Sequence, residues 1–135
     1  MNALSPTLDL APALVVLPGP SCAAADTVGG REISADEARA LFESAPALVA
    51  HAGMTARRLG LHAPPRSPRL FDVLELCAFV RPARFCAPSA AGLALAVGLP
   101  EPHGAAQQAS CLREVAALLL GELTARPWPS RADPG

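Results

Sequence analysis

The chain has 135 residues, enough for one domain whose core can bury roughly 68% of the unfolded surface. Its 11 basic and 12 acidic residues nearly cancel, so no global field draws it to nucleic acid or anionic lipid. Every basic residue is Arg, and without Lys a P-loop, a Schiff-base enzyme and a Ser-Lys dyad are excluded.

The first element expected is a buried strand at Ala13 to Leu17 (ALVVL), stopped by Pro18-Gly19-Pro20. Together with the following SCAAA, this segment superficially resembles a secretion signal. No Lys or Arg precedes it, Asp9 interrupts the leader and the apolar run is short, so the chain is expected in the cytoplasm. No stretch approaches the ~20 apolar residues of a membrane span, and no membrane association is expected.

Thr27 to Ile33 carries a turn signal at Gly29-Gly30 and reads as a weaker second strand. Ser34-Ala35-Asp36-Glu37 is a capping box, which starts a helix running to about Ala45 with Ala38, Leu41, Phe42 and Ala45 at helical spacing. Pro46 ends it, and Ala47 to Ala50 is the third strand candidate. A short helix over Thr55 to Leu61 carries Arg57 and Arg58, and a Pro-rich surface loop follows from His62 to Arg69.

The next helix is expected over Phe71 to Val80, apolar around much of its circumference and therefore largely buried. Pro82 closes it, Pro88 opens another through Val97, and Gly98 caps that one. The longest helical pattern runs from Ala105 to Thr124, with Leu112, Val115, Ala116, Leu119 and Leu123 at three- and four-residue steps. The predicted architecture is a small α/β domain over residues 1–124, with a short three-stranded sheet and a helix-rich second half. Residues 125–135 read as a Pro-rich tail or linker.

Cys22, Cys77, Cys86 and Cys111 show no C-x-x-C spacing, which predicts free, mostly buried thiols, no metal site and a reducing compartment.

The run LFDVLELCAFVRPARFCAPSAAGLALAVGLP, from Leu70 to Pro100, carries a resemblance. With HAGMTARRLGL before it and LREVAALLL after it, it resembles the N-terminal region of alphaproteobacterial DinG-type ATP-dependent DNA helicases, over roughly Leu10 to Leu123. The resemblance implies a ribonuclease-H-like fold of the DEDD exonuclease kind, in which carboxylates hold two divalent metals. In that register Pro18 and Pro20 stand where the first acidic pair belongs. His51 begins the second motif, but Ala56 takes the place of its Asp. His103 matches the general-base His, and Gln108 replaces the final Asp. The resemblance therefore implies a degenerate, non-catalytic domain, with no catalytic residue and no metal. ATP and Mg²⁺ are expected only in motor domains that this chain does not contain, since it has no G-x-x-x-x-G-K-[ST] sequence. The implied partners are those motors in cis and single-stranded DNA.

Several residues keep two readings. Arg57, Arg58, Arg81 and Arg84 form either a phosphate-contacting patch or surface ion pairs with Asp72, Glu75 or Glu114. His51 and His103 are motif remnants or structural residues at a strand end and a helix start. Asp72 and Glu75, one helical turn apart, share a metal or sit as helix N-terminal charges. Two alternative functions follow: a stand-alone interaction module with a dead exonuclease fold, and an active metal-dependent nuclease using Asp9, Asp26, Asp72 or Glu75.

Overall fold

A computed structural model describes residues 11–19, 21–44, 46–64, 70–82 and 87–125. Strand β1 (Ala13–Leu17) is followed by β2 (Ser21–Ala25), β3 (Gly30–Ile33), α1 (Ala35–Ser44) and β4 (Ala47–Val49). Then come α2 (Ala52–Arg58), β5 (Leu70–Asp72), α3 (Val73–Val80), α4 (Ala90–Ala96) and α5 (Gly104–Ala125). The five strands form one mixed sheet in the order β3-β2-β1-β4-β5. β2 runs antiparallel to β1 and β3, while β4 and β5 run parallel to β1.

Helices cover both faces, as the alternation in β1 requires. Ala13 and Val15 point into a cluster with Leu93, Leu112, Val115 and Leu119 from α4 and α5. Leu14 and Val16 point the other way, toward Phe42 of α1 and Ala56 of α2. Burial of β1 on both faces explains why it reads as a continuous apolar run.

The expected sheet of three strands is corrected to five. β2 is SCAAA, a segment with little intrinsic strand preference. It forms a strand because α5 lies close against it, and only small side chains fit beneath that helix. Gly30 marks the limit of this approach: a Cβ there would stand 2.1 Å from the Ala106 carbonyl oxygen. The turn signal at Gly29-Gly30 therefore divides. Gly29, at φ +142°, belongs to the turn, whereas Gly30 pairs with Ala25 inside β3.

The second correction concerns residues 70–72. The helix expected from Phe71 begins at Val73, and Leu70–Asp72 forms the edge strand β5, paired with Ala47, Leu48 and Val49. The helix expected from Thr55 begins instead at Ala52, because the His51 side chain caps it through the Met54 amide at 3.1 Å. The capping box is present, with the Glu37 amide donating to Ser34 Oγ at 3.0 Å. Gly98, at φ +85°, closes α4 in a Schellman arrangement: the Leu99 amide donates to the Ala94 carbonyl and the Gly98 amide to that of Leu95. Helix α5 runs through Ala125, and the expected tail beyond it lies outside the described residues. So do Ala45, residues 65–69 of the Pro-rich loop, and Cys86. Among the described residues no helix is long and apolar enough to cross a membrane.

Candidate functional site

β1 lies between an antiparallel neighbour, β2, and a parallel one, β4, reached through α1. A crevice at the carboxyl ends of strands that diverge in this way is the usual ligand position in open α/β sheets. Here the parallel pairing of β1 with β4 is confined to Ala13 and Leu48, which leaves a gap toward Leu17 and Ala50. Arg58 fills it, its guanidinium donating to the Val16 carbonyl at 2.9 Å. A cavity of about 30 Å³ remains, lined by the end of β1 with Ala50, His51, Met54, Thr55, Arg58, Ser89 and Gln108.

Three elements supply its polar groups. α2 contributes His51, Thr55 and Arg58 from its N-cap and one face. Gly53 leaves room for the imidazole, since a Cβ there would lie 3.2 Å from Cε1 of His51. Thr55 is buried, and its hydroxyl donates to the His51 carbonyl at 2.8 Å. Ser89 caps α4, its Oγ accepting from the Gly92 amide at 3.0 Å. Gln108 projects from the second turn of α5.

The sequence-derived positions separate in space. His51, Arg58 and Gln108 meet at the cavity. Ala56 does not: it is fully buried in the apolar cluster with Leu14, Phe42 and Leu59, so a carboxylate there would enter the core. Pro18 is exposed in the turn after β1, and Pro20 lies outside the described residues. His103 is exposed ahead of α5, where its backbone amide donates to Gln107 Oε1 at 3.0 Å, and it does not line the cavity.

Of the four arginines, Arg57 is exposed on α2 and Arg84 lies outside the described residues. Arg81 pairs with Glu122, not with the acids expected from sequence. Its Nε donates to Glu122 at 3.0 Å, its Nη2 to the same carboxylate, and its Nη1 to the Ala96 carbonyl at 2.9 Å. It thereby ties α3, α4 and α5 together.

The acids proposed for a nuclease are also dispersed. Asp26 sits at the β2–β3 turn, the opposite end of the sheet from the crevice, because Ala25 pairs with Ala13 at the start of β1. The Val28 amide holds its carboxyl below the ordinary carboxylate value, aided by the Gly29 amide. Asp72 caps α3 and also accepts from α2, while Glu75 is exposed. Asp9 lies outside the described residues. Among the described residues no group of three His, Cys, Asp or Glu is placed to hold a metal. Cys22, Cys77 and Cys111 are buried. Burial pushes the thiols of Cys22 and Cys111 up, and Glu114 adds to the effect at Cys111.

Sequence reasoning missed one further feature. β5, α3 and α5 border an apolar groove of about 480 Å³, on which Phe71 and Phe79 stand roughly half exposed, at 49% and 60%. The signal was present in the apolar circumference of 71–80, which exceeded what one buried face of α3 uses.

No family model matches the chain, and no curated protein and no solved structure is found to match it.

Proposed function

We propose that this chain is a non-catalytic domain of exonuclease-like, ribonuclease-H-like architecture. It serves as the N-terminal part of a DinG-type ATP-dependent DNA helicase in the cytoplasm, docking on the motor domains or helping to position DNA. ATP and Mg²⁺ would act in those motors and not here. The sequence resemblance suggests the parent. A five-stranded mixed sheet with helices on both faces is compatible with such a reading.

The observation that carries the non-catalytic part is the chemistry of the crevice. Two-metal hydrolysis needs several carboxylates converging within a few ångströms. The crevice is lined instead by an imidazole, a guanidinium, a carboxamide and two hydroxyls, with no carboxylate among the described residues.

The test is an exonuclease assay on single- and double-stranded DNA with Mg²⁺ or Mn²⁺. The expected result is no cleavage above background. Metal-dependent cleavage abolished by Asp72→Asn would overturn the reading in favour of an active nuclease. The parent is tested by blotting a lysate of the source organism with an antibody to Leu70–Pro100. A band several times heavier than 13.8 kDa is expected.

A second reading, a stand-alone interaction module with the same dead fold, is favoured by the groove beside Phe71 and Phe79. A band at the chain's own mass would move that reading to first place.

A further inference from the structure

We infer that the crevice between β1 and β4 is an oxyanion site, which takes the phosphate group of inorganic phosphate or of a phosphate monoester through Arg58, His51, Ser89 and Gln108. The inference does not rest on the helicase reading.

It begins with the direction of the hydrogen bonds. His51 Nδ1 accepts from the Met54 amide, so the ring carries its proton on Nε2. Ser89 Oγ accepts from the Gly92 amide, which leaves its hydroxyl hydrogen available to donate. Gln108 brings an amide group with two N–H donors, and its side chain has no hydrogen-bond partner among the described residues. Arg58 spends one N–H on Val16 and keeps the rest of its five-donor fork. Thr55 does not contribute, because its hydroxyl is committed to the His51 carbonyl.

Charge points the same way. Arg58 is half-buried, and among the described residues it forms no ion pair and no Asp or Glu lines the cavity. A guanidinium partly withdrawn from water, surrounded by neutral donors, is an arrangement for an anion and repels a divalent cation. Size restricts the ligand. A 30 Å³ space holds one or two oxygen atoms, which suits a phosphate edge with the rest of the group at the mouth and excludes a nucleobase.

The experiment is an amide chemical-shift titration of the full chain with inorganic phosphate, at constant ionic strength set with chloride. Saturable shifts are expected at Ala50, His51 and Ala90. Arg58→Met, which keeps an apolar stem, and the near-isosteric Gln108→Glu should each weaken binding at least about tenfold. Arg39→Ala, an exposed arginine on α1, should leave it unchanged. Gln108→Glu keeps the proposal testable should Arg58→Met not fold. Parallel titrations with 5′-phosphorylated and 5′-hydroxyl oligonucleotides identify the source. Tighter binding of the phosphorylated strand assigns a DNA end, and equal affinity for inorganic phosphate assigns the free ion. Shifts that do not saturate, or that fall as much with Arg39→Ala as with Arg58→Met, would overturn the site.

Discussion

The carboxylate of Asp72 accepts a hydrogen bond from the backbone amide of Ala52 at 2.8 Å, across 20 residues of sequence. Its other oxygen accepts from Glu75, at 3.0 Å, in the first turn of its own helix. One side chain at the end of β5 therefore closes the first turns of α2 and α3 together. It also holds in place the N-terminus from which His51 and Arg58 reach the crevice. An N-cap contributes about 1 kcal/mol, and Asp72 makes two such contacts. Asp72→Ala should cost about 2 kcal/mol in urea unfolding, and Asp72→Asn, which retains one acceptor oxygen, about half of that. An Asp72→Ala protein as stable as the parent would show that neither bond matters.

Gly30 is held to zero side-chain volume by α5. Gly30→Ala places a methyl against the Ala106 carbonyl and should destabilise by about 2 kcal/mol or more, the range of an overpacked core. Gly121, also a glycine but with open space around its Cβ position inside α5, makes the contrast. Gly121→Ala should stabilise by about 0.5–1 kcal/mol through helix propensity. Thermal unfolding of the two variants should move in opposite directions.

Arg81 and Glu122 form a two-pronged pair that is only partly withdrawn from solvent, with side chains 26% and 38% exposed. Solvent screening limits its worth, and a double-mutant cycle should give a coupling of about 1 kcal/mol. Arg81→Lys should recover little of it, because an ammonium reproduces neither the fork nor the third bond, to Ala96. Full rescue by Lys would mean that charge alone, and not geometry, joins α3 to α5.

The thiols make a prediction about pH. Cys22 and Cys111 are raised above the ordinary value of 9.0 by burial, so the folded chain keeps those protons where the unfolded chain loses them. Their contribution to stability is complete below pH 9.0 and declines as pH rises from there through the folded values. At neutral pH a thiol-specific reagent should label both slowly in the native protein and rapidly in denaturant. Rapid native labelling would contradict their burial.

Asp26 gives the opposite sign. With its folded value lowered chiefly by the Val28 amide, its stabilisation is present above the ordinary carboxylate value of 3.8 and lost as pH falls through the folded one. Asp26→Asn should flatten the acid limb of an unfolding profile. An unchanged acid limb would show that the turn does not titrate with folding.

What could be read from the sequence followed from local signals. Ser34 with Glu37, Gly98 after α4 and the β-branched run in β1 each act within a few residues, and each is where the chain indicated. β2 was hidden because SCAAA becomes a strand only under α5, some eighty residues later in the chain. β5 was hidden because Leu70 and Phe71 join the apolar pattern of α3. The crevice was half legible. His51, Arg58 and Gln108 stand out as residues, but their convergence depends on strand pairing and helix packing that no local pattern encodes. Ser89 takes its place at the crevice from the turn that caps α4.

Beneath α5 the sheet is paved with Ala23, Ala25 and Gly30, and the helix answers with Ala105, Ala106 and Ala109. Such a seam restricts how the chain can drift over generations. Enlarging any one of these residues requires a smaller one opposite, and only glycine is smaller than what is already there. Change here must come in compensated pairs or not at all. At these positions small side chains are a constraint that selection on folding would enforce by itself.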